Sequence, residues 1–395
     1  MVYGHYYLAR EWVRMGHRVT IVAAGWVHMR HRQPECSGRL TEQWIDGIRY
    51  IWLKVPDYAA GGRFGRVMNL MSFAAQVWAL PLPLNKPDLV ICSSHCPFAI
   101  HGSARIARRS GARLVFEVRD LWPLTLLELG GASRRNPLVQ AMQWSEDFAY
   151  RYADRVVSVL SASLDYMVSR GMAPEKFAYI PNGADAEGVI NASSNEPTPL
   201  TVSQRQIQFI RKRGSFVVGF CGRLTTANPL GPLLKSLAQP NMDGIHVVLV
   251  GGGHLLEELQ TLTLSLGVND RVTFIGVVEK SEVAAVLFQM DVLYLGLSNS
   301  PLYRFGVSPT KLNDYLLAAK PVLYAAKTPD DIIMQSGCGI TCEPEDVVAI
   351  AEAIRRFRAM SAAERTKMGR RGHDWLLSNR AYPNLAQEFL KVAFS

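Results

Sequence analysis

Acidic residues are scarce in the first third of this 395-residue chain. Residues 1–113 contain 15 Lys and Arg against 6 Asp and Glu, an excess equal to the net charge of +9 of the whole chain. Because the chain has 43 basic and 34 acidic residues, the remainder holds 28 of each sign. This asymmetry predicts a cationic surface in the N-terminal part.

Apolar residues interleaved with these cations narrow the choice of partner. They are Phe64, Val67, Leu70, Met71 and Trp78. No helix-turn-helix or base-stacking motif accompanies them, so nucleic acid is not expected. Amphipathic basic segments favour anionic lipid, and we therefore expect residues 1–113 to contact the inner face of a plasma membrane from the cytoplasm. A merely solvated basic face is the alternative.

The sequence also lacks a long hydrophobic run and a metal-binding cysteine pattern. Its longest apolar region, residues 70–84, is interrupted by Gln76, Pro81 and Pro83 and is too short to span a bilayer. The amphipathic, charged start does not resemble a signal peptide. Six cysteines include two C-x-x-x-C pairs that match no zinc spacing, which favours reduced thiols in a cytosolic protein.

Strand-like and helix-like segments alternate in two series, the pattern of doubly wound α/β domains. Strands are predicted at 18–24, 48–55, 88–93, 113–118, 155–160 and 177–180, then at 216–221, 246–250, 271–275, 291–297, 321–325 and 339–342. We predict one domain over 1–190, a polar, Pro-containing linker over 191–214, a second domain over 215–375, and a last segment, 376–395, that crosses back to the first domain.

The segment 308–325 carries the most distinctive pattern. Leu312, Tyr315, Leu316 and Ala319 have the spacing of a buried helical face, with Ser308 as N-cap and Pro309 at the first helical position. Lys311 lies in the first turn, where the helix dipole disfavours a cation by about 0.3–1 kcal/mol. A bound phosphate would reverse that effect by meeting the backbone N–H groups of residues 310–312 and the Lys311 ammonium. An ordinary surface pair between Lys311 and Asp314 is the alternative.

Ser308-Pro309-Thr310-Lys311, with Asp314-Tyr315 and Ala319-Lys320-Pro321-Val322, resembles the donor-phosphate helix of family 4 retaining glycosyltransferases. It is most similar to the branch that transfers N-acetylated amino sugars in O-antigen and capsule assembly. The resemblance implies an α/β fold of the GT-B type, with two doubly wound Rossmann-like domains facing across a cleft. The second domain would hold the nucleotide sugar and the first the acceptor.

The resemblance also implies a donor site at the carboxyl ends of the second set of strands. Its residues would be Gly222, Arg223, Asn228, Gly252, Gly276, Val277, Ser308, Pro309, Thr310, Lys311, Leu312 and Asp314. Arg223 and Lys311 would stabilise the leaving diphosphate, and Asp314 would bind the ribose. The alternative for Gly222-Arg223 and for Gly251-Gly252-Gly253 is a simple turn that contacts no ligand. The family's first acidic position is Gly306 here, which leaves Tyr303 and Arg304 as candidates for contacting the sugar.

No Asp-x-Asp occurs in the sequence, so we expect no metal and no cofactor besides the donor substrate. In the first domain, Asp120 resembles the family's acidic residue beside the scissile bond and would act on the acceptor hydroxyl. Its alternative role is to cap a turn. His95, Arg119 and Trp122 are further acceptor-side candidates, although a structural role for His95 is the simpler interpretation.

These features predict a metal-independent retaining glycosyltransferase that moves a sugar from a UDP donor to a lipid-linked saccharide in bacterial surface polysaccharide assembly. The alternatives are a GT-B nucleotide-sugar epimerase and a non-catalytic scaffold protein. Relatives begin with a strand and a Gly-rich loop before a helix like that predicted at 6–15. We interpret their absence as a misplaced start codon; otherwise the acceptor domain would lack its first strand.

Overall fold

The computed structural model describes residues 3–27, 30, 33–58, 62–81, 86–185 and 200–395. Two compact units divide the chain. The first unit comprises Met1–Asn182 and Tyr382–Ser395, and the second comprises Gly183–Ala381. No described helix has the length and apolar character needed to cross a membrane. All six cysteines are unpaired thiols.

The first unit contains two sheets. Their strands are β1 Thr20–Ala24, β2 Leu40–Ile45 and β3 Ile48–Leu53 in one, and β4 Leu89–Ser93, β5 Arg113–Val118, β6 Arg155–Ser158 and β7 Phe177–Tyr179 in the other. The four-stranded sheet is parallel in the order β4-β5-β6-β7. The three-stranded sheet has the order β1-β3-β2, with β1 parallel and β2 antiparallel to β3.

Strand β2 is absent from the sequence-based prediction, and it makes the first unit a mixed α/β structure. Asp46 and Gly47 join β2 to β3 with φ angles of +50° and +76°. An Asp-Gly pair in this conformation is the preferred two-residue hairpin turn, so the dipeptide was the available signal. The expected strand run at 48–55 ends instead at Leu53.

Helices cover both sheets of the first unit. They are α1 Tyr3–Arg14, α2 Gly62–Trp78, α3 Ala99–Ser110, α4 Leu124–Glu128, α5 Pro137–Tyr152, α6 Leu164–Ser169 and the final helix α15 Tyr382–Phe394. Val22 of β1 and Val90 of β4 contribute to one apolar cluster beneath α2 and α3. The two sheets therefore share a helical layer, although no ladder among the described residues joins β1 to β4.

The second unit is a six-stranded parallel sheet. Its strands are β8 Phe216–Cys221, β9 Ile245–Val250, β10 Val272–Ile275, β11 Val292–Gly296, β12 Val322–Ala325 and β13 Gly339–Cys342. Their order is β10-β9-β8-β11-β12-β13, so the chain winds outward in both directions from the boundary between β8 and β11. Ligands of open α/β sheets bind outside the carboxyl ends of the strands at such a switch point.

Eight helices among the described residues of the second unit complete the doubly wound arrangement. They are α7 Val202–Lys212, α8 Gly231–Ser236, α9 Leu256–Ser265, α10 Lys280–Phe288, α11 Thr310–Leu317, α12 Ile332–Ser336, α13 Val347–Ala359 and α14 Ala362–Arg380. Val217 belongs to the apolar cluster on one face of the sheet, and Phe216 and Val218 belong to the cluster on the other. This alternation follows from the two-residue period of a strand buried on both faces.

Two predicted boundaries are wrong. Residues 202–212, assigned to the linker 191–214, form α7, because Thr201 caps the helix and Ile207 and Ile210 are buried in the core of the second unit. Residues 191–199 of that linker lie outside the described residues. Residues 376–380, assigned to the last segment, complete α14, where Leu376 is fully buried in the second unit.

Candidate functional site

Helix α11 follows β11 and begins at the carboxyl edge of the second sheet. Leu312, Tyr315 and Leu316 are buried, as their spacing predicts. The Tyr315 hydroxyl accepts a hydrogen bond of 2.9 Å from the Cys221 backbone N–H and lies 3.4 Å from the Cys221 carbonyl oxygen. This side chain therefore fastens α11 to the end of β8, beside the switch point.

The ends of α11 differ from the prediction. Pro309, not Ser308, is the N-cap residue, and the first helical residue is Thr310. Leu312 donates its backbone N–H to the Pro309 carbonyl oxygen at 3.0 Å, so this group is not among the open donors expected for a phosphate. Ala319 has a φ of +50° beyond the end of the helix, so it does not extend the helical face.

Lys311 projects among residues at the end of β8. Its ammonium donates to the side-chain oxygen of Asn228 and lies 4.9 Å from the centre of the Phe220 ring. A Cβ atom on Gly222 would come within 2.8 Å of the Lys311 side chain, so a larger residue there would displace that side chain. Burial lowers the pKa of Lys311 to about 8, and the neighbouring Cys221 opposes that shift. Three predicted donor-site residues thus come together here.

Arg223 and Asn228 lie on the loop after β8. The Arg223 side chain is exposed, and the Arg223 carbonyl oxygen accepts a hydrogen bond of 2.9 Å from the Asn228 side-chain amide. Because the other end of that amide accepts from Lys311, Asn228 is held by its own chain at both ends. Its geometry fits a residue that orients Lys311 better than one that donates freely to a ligand.

Asp314 pairs with a residue that the sequence analysis did not identify. Its two carboxylate oxygens lie 2.7 and 2.9 Å from the Lys280 ammonium, at the start of α10. The alternative pairing with Lys311 is therefore not observed. Lys280, like Lys311, is a cation in the first turn of a helix, where the dipole disfavours it, so the same anomaly was the available signal.

The loop after β9, which contains Gly251, Gly252 and Gly253, packs closely against the loop after β8. Added Cβ atoms on Gly251 and Gly253 would lie 2.0 Å from the carbonyl oxygens of Gly222 and Leu224. The carbonyl of Gly252 accepts from the Leu224 backbone N–H at 3.0 Å. Close packing of these two loops accounts for the glycines. Helix α9 starts only at Leu256, three residues later.

The remaining donor candidates lie on accessible segments. Gly276 and Val277 follow β10; Val277 is 69% exposed, and a Cβ on Gly276 would meet open space. Thr310 is exposed at the start of α11. Arg304 stacks on the Phe305 ring at 4.2 Å in a short helical segment and bonds the Pro301 carbonyl.

A second polar cluster lies in the first unit, at the carboxyl ends of β4 and β5. Glu117 is buried and pairs with His5 of α1 and with Arg119, whose nearest guanidinium nitrogen is 3.1 Å away. Burial alone would raise the pKa of Glu117, but His5 and Arg119 outweigh it and hold the pKa well below its usual range. Arg119 bonds Asn182 with another guanidinium nitrogen.

Ser94 shapes the turn that carries the predicted acceptor-side residues. Its hydroxyl accepts the backbone N–H groups of Arg119 at 2.9 Å and Asp120 at 3.3 Å. The Asp120 side chain is exposed to solvent. Partial desolvation by the surrounding protein nevertheless raises its pKa, and Arg119 opposes that shift. A carboxyl that is accessible and partly desolvated suits proton transfer.

His95 and Trp122 flank this turn. His95 Nδ1 lies 2.9 Å from the Ser93 hydroxyl, and its ring centre is 5.9 Å from that of His5. The surrounding protein, together with Arg119 and His5, lowers the pKa of His95. Trp122 is half-buried, and its indole N–H has no hydrogen-bond partner among the described residues.

His5 and Glu117 were not identified from the sequence. Glu117 lies in the strand RLVFEV, where five of six residues are buried, so an acid inside a buried run was the available signal. His5 has no comparable signal, because it lies 112 residues away in an ordinary amphipathic helix. The cluster leaves Arg119 tied to two partners, which fits a positioning role for that residue.

Two family models match the chain. A glycosyl transferase 4-like domain matches residues 5–183, and the glycosyl transferases group 1 model matches residues 203–375. The putative colanic acid biosynthesis glycosyl transferase WcaI of Escherichia coli strain K12 is 20% identical over 359 residues, which are 88% of this chain and 86% of that protein. The lipopolysaccharide core biosynthesis glycosyltransferase LpsE of Rhizobium meliloti strain 1021 is 24% identical over 179 residues, 45% of this chain and 50% of that protein.

Solved structures share the fold at low sequence identity. HepE of Anabaena, in complex with UDP-glucose, superposes with a TM-score of 0.63 at 18% identity, covering 88% of this chain and 86% of its own. Sucrose-phosphate synthase of Thermosynechococcus elongatus gives 0.69 at 16% identity, covering 98% and 90%. OtsA in its apo form gives 0.74 at 12% identity, covering 99% and 96%.

Proposed function

The chain belongs to the GT-B glycosyltransferases, and from that premise we propose that it is a retaining, metal-independent enzyme that uses a UDP-sugar. The sugar is an N-acetylated amino sugar, and the acceptor is a lipid-linked saccharide on the cytoplasmic side of the membrane. The product enters a bacterial surface polysaccharide, a role supported by the names of the relatives in colanic acid and lipopolysaccharide biosynthesis.

One observation carries the donor part of this proposal. Gly222, Asn228 and Lys311 meet where β8 ends, beside the switch point of the second sheet. The half-buried Lys311 ammonium has one neutral amide partner, and its desolvation lowers its pKa to about 8, so its positive charge is under-compensated. A diphosphate would supply the missing negative charge. Such a site needs an anion more than an ordinary surface lysine does.

The chemistry follows from the charge that develops on the leaving group. As the bond between the sugar and the diphosphate breaks, the negative charge on UDP grows, and Lys311 and Arg223 stabilise it. Arg223 is exposed and therefore available to a ligand. Asp314, with Lys280 as its counter-ion, binds the ribose hydroxyls. The acceptor oxygen attacks the face of the sugar that the leaving group has vacated, which retains the configuration, and the hydroxyl proton passes to the departing diphosphate.

The first unit supplies the acceptor side in this proposal. Asp120 accepts hydrogen bonding from the acceptor hydroxyl and polarises it, and its raised pKa suits that task. Ser94 holds the backbone of the turn, and Glu117 with His5 holds Arg119. His95, which is exposed, is the further group available to saccharide hydroxyls, and Trp122 forms part of the wall beside it.

Calorimetric titration with UDP tests the donor site. We expect micromolar binding by the wild type that is lost or weakened at least tenfold in Lys311→Ala and Arg223→Ala, since each removes a charge-assisted contact. Lys235→Ala, on α8 of the same unit, is the matched control and should bind normally. Binding of another nucleotide in place of UDP would overturn the donor assignment. If no nucleotide binds, the scaffold alternative replaces the enzyme.

Measured turnover separates the two enzymatic alternatives. A transferase consumes UDP-sugar only when a lipid-linked acceptor is present, whereas an epimerase converts free UDP-sugar without any acceptor. Products of the acceptor reaction, analysed for anomeric configuration, test retention directly. Conversion without acceptor, or an inverted product, would contradict the proposal.

A further inference from the structure

The edge of the second sheet opposite to the proposed donor site carries a carboxylate that two arginines share. Oδ1 of Asp291, the residue before β11, lies 3.6 Å from the Arg211 guanidinium and 3.9 Å from that of Arg365. Oδ2 of Asp291 accepts the Val217 backbone N–H of β8 at 2.9 Å. The carboxylate is therefore held at the amino ends of β8 and β11, whereas the proposed donor site lies at their carboxyl ends.

Lys320 adds a third cation at the same edge. It lies two residues before β12, and the carbonyl oxygen of the intervening Pro321 accepts the Leu293 backbone N–H of β11 at 3.0 Å. The Lys320 ammonium lies 4.6 Å from the centre of the Phe288 ring. No carboxylate among the described residues lies within ion-pair distance of this ammonium. Three cations thus share one acid.

The like charges at this edge act on one another. Partial burial lowers the pKa of Lys320 to about 8, and Arg211 and Arg365 add to that shift while Asp291 opposes it. The two guanidinium groups therefore disfavour the Lys320 cation more than the single carboxylate favours it. With Lys320 protonated, two positive charges stay unbalanced. An anion bound among these side chains would remove the conflict.

Both guanidinium groups are held in place by backbone carbonyls. Arg211 donates to the Gln289 carbonyl oxygen at 2.7 Å. Arg365 donates to the Phe357 carbonyl oxygen at 3.2 Å and lies over the Phe216 ring at 5.1 Å. A guanidinium has several N–H donors in one plane, and these bonds use only some of them. Because the cations are fixed before a ligand arrives, binding loses less conformational entropy.

We propose that Arg211, Lys320 and Arg365 form a second anion site, which binds a phosphate-type dianion at the amino edge of the second sheet. Arg211 is the more accessible arginine and contacts the phosphate oxygens together with Lys320, while the more deeply buried Arg365 adds charge. Phe288, which is 65% exposed, forms an apolar wall beside Lys320. This inference depends neither on the donor sugar nor on catalysis.

A dianion fits this cluster better than the other occupants do. On an ordinary solvated basic face, water would screen each cation and Lys320 would be exposed, whereas Lys320 is half-buried near two arginines. A single carboxylate, as on an acidic peptide, would leave one of the two excess charges unbalanced. A nucleic acid needs cations along a stripe, and these cations converge on one carboxylate.

Calorimetric titration with pyrophosphate tests the second anion site. The parent protein for this experiment is the full chain with Lys311→Ala and Arg223→Ala, so that the proposed donor site contributes little. We expect the parent to bind pyrophosphate more weakly than the wild type binds UDP, because Asp291 already offsets one of the three cations. The experiment remains valid if the donor assignment fails, since it measures a site at the other edge of the sheet.

Lys320→Met and Arg211→Gln, each added to the parent, should weaken pyrophosphate binding by about tenfold or more, since each removes a charge-assisted contact. Lys320→Arg keeps the charge and should retain binding. Arg205→Gln changes an exposed arginine on the same helix as Arg211 and is the matched control, which should bind like the parent. Lys320→Met removes a partly desolvated charge, so circular dichroism should show native folding.

ADP and pyrophosphate distinguish two sources of the phosphate. Binding of ADP about tenfold tighter than that of pyrophosphate indicates a nucleotide whose base packs on Phe288, and Phe288→Ser should then abolish the difference. Equal affinities indicate a free anion, and both results uphold the site. Equal binding of pyrophosphate by the parent, Lys320→Met and Arg211→Gln would overturn the proposal. So would an equally large loss in Arg205→Gln, or a parent that binds no pyrophosphate.

Discussion

The Lys311 ammonium is held where its charge is poorly solvated. Burial lowers its pKa to about 8, so the cation that the proposed donor site requires is lost a little above neutral pH in the free protein. Asn228 is neutral and therefore supplies no negative charge to balance the Lys311 ammonium. The site is therefore prepared for an anion, and this property has a measurable pH dependence.

We expect UDP affinity to fall as pH rises through about 8. Below that pH Lys311 is protonated and pairs with the diphosphate; above it, binding must first restore the proton, which weakens affinity by up to about tenfold per pH unit. The uracil N–H of UDP itself begins to ionise at the alkaline end of the range, so the fall in affinity is read around pH 8, below that ionisation. Calorimetry between pH 6.5 and 9.5 measures the effect, and Lys311→Met should remove it together with most of the affinity.

Lys320 provides the control for that measurement. Burial also lowers its pKa to about 8, with Arg211 and Arg365 adding to the shift and Asp291 opposing it. None of these neighbours belongs to the proposed donor site. Lys320→Met should therefore keep the fall in UDP affinity above pH 8. A flat pH profile in the wild type would show that Lys311 does not contact the diphosphate.

Sequence reasoning worked at the residue scale when a side chain conflicted with its own local setting. Lys311 was found because a cation opposes the dipole of a first helical turn, and it does meet Gly222 and Asn228. The ion pair between Lys280 and Asp314 was missed, although Lys280 shows the same conflict. Glu117 and His5 could not be paired in advance, since only the tertiary fold brings α1 to the end of β5.

At the scale of elements, the loops after β8 and β9 pack backbone against backbone. The backbone of Gly253 passes so close to Leu224 that any side chain would strike the Leu224 carbonyl oxygen, 2.0 Å from the Cβ position. The loop after β8 carries Gly222, Arg223 and Asn228. Its conformation therefore depends on glycines in a different loop, which themselves need not touch any ligand.

Gly253→Ala should separate these two loops. We expect a loss of about 1–3 kcal/mol in unfolding free energy, as for overpacking of a tight contact, and a loss of UDP binding larger than that destabilisation explains. Gly276→Ala is the control for stability, because its Cβ would meet open space, and should stay within about 0.5 kcal/mol of wild type. Urea denaturation and calorimetry give the two readouts. Normal stability of Gly253→Ala would contradict the loop packing.

Strands that are short apolar runs between clear breaks were predictable from the sequence. Elements whose structure depends on pairing or packing with other segments were not. Strands 113–118, 216–221 and 339–342 have the predicted bounds, since each is a short apolar run between clear breaks. Strand β2 was missed because LTEQWI is mostly exposed and is a strand only through pairing with β3. Helix α11 ends earlier than its apolar spacing indicated, because Ala319 turns into the left-handed region.

At the scale of the whole molecule, the two-domain α/β architecture followed from the two series of strands. The division of the first unit into two sheets did not, because strand order depends on pairings between distant segments. Sequence also could not locate the end of the second unit within residues 362–380. Helix α14 is largely exposed, and Leu376 is one of the few residues that tie it to the core.

The final helix α15 contributes to the core of the first unit, although it is separated from that unit by nearly two hundred residues of chain. Trp12 of α1 donates its indole N–H to the Ala386 carbonyl oxygen at 2.9 Å, and its ring meets Phe389 at 5.4 Å. Tyr7 stacks on Tyr382 at 4.9 Å. Folding of the first unit therefore requires the thirteen residues of α15, which follow the second unit in the chain.

Phe389→Ala should lower the stability of the first unit by about 3–5 kcal/mol, since the Phe389 side chain is 1% exposed and its loss opens a cavity against Trp12. Phe394→Ala, on the same helix but 49% exposed, should change stability by less than about 0.5 kcal/mol. Hydrogen exchange during urea titration can follow each unit separately. Protection should fall in β5, β6 and α1 in the Phe389 variant while the sheet of the second unit stays protected. If both units lose protection together, the second unit depends on α15 as much as the first, and the division into independent cores is wrong.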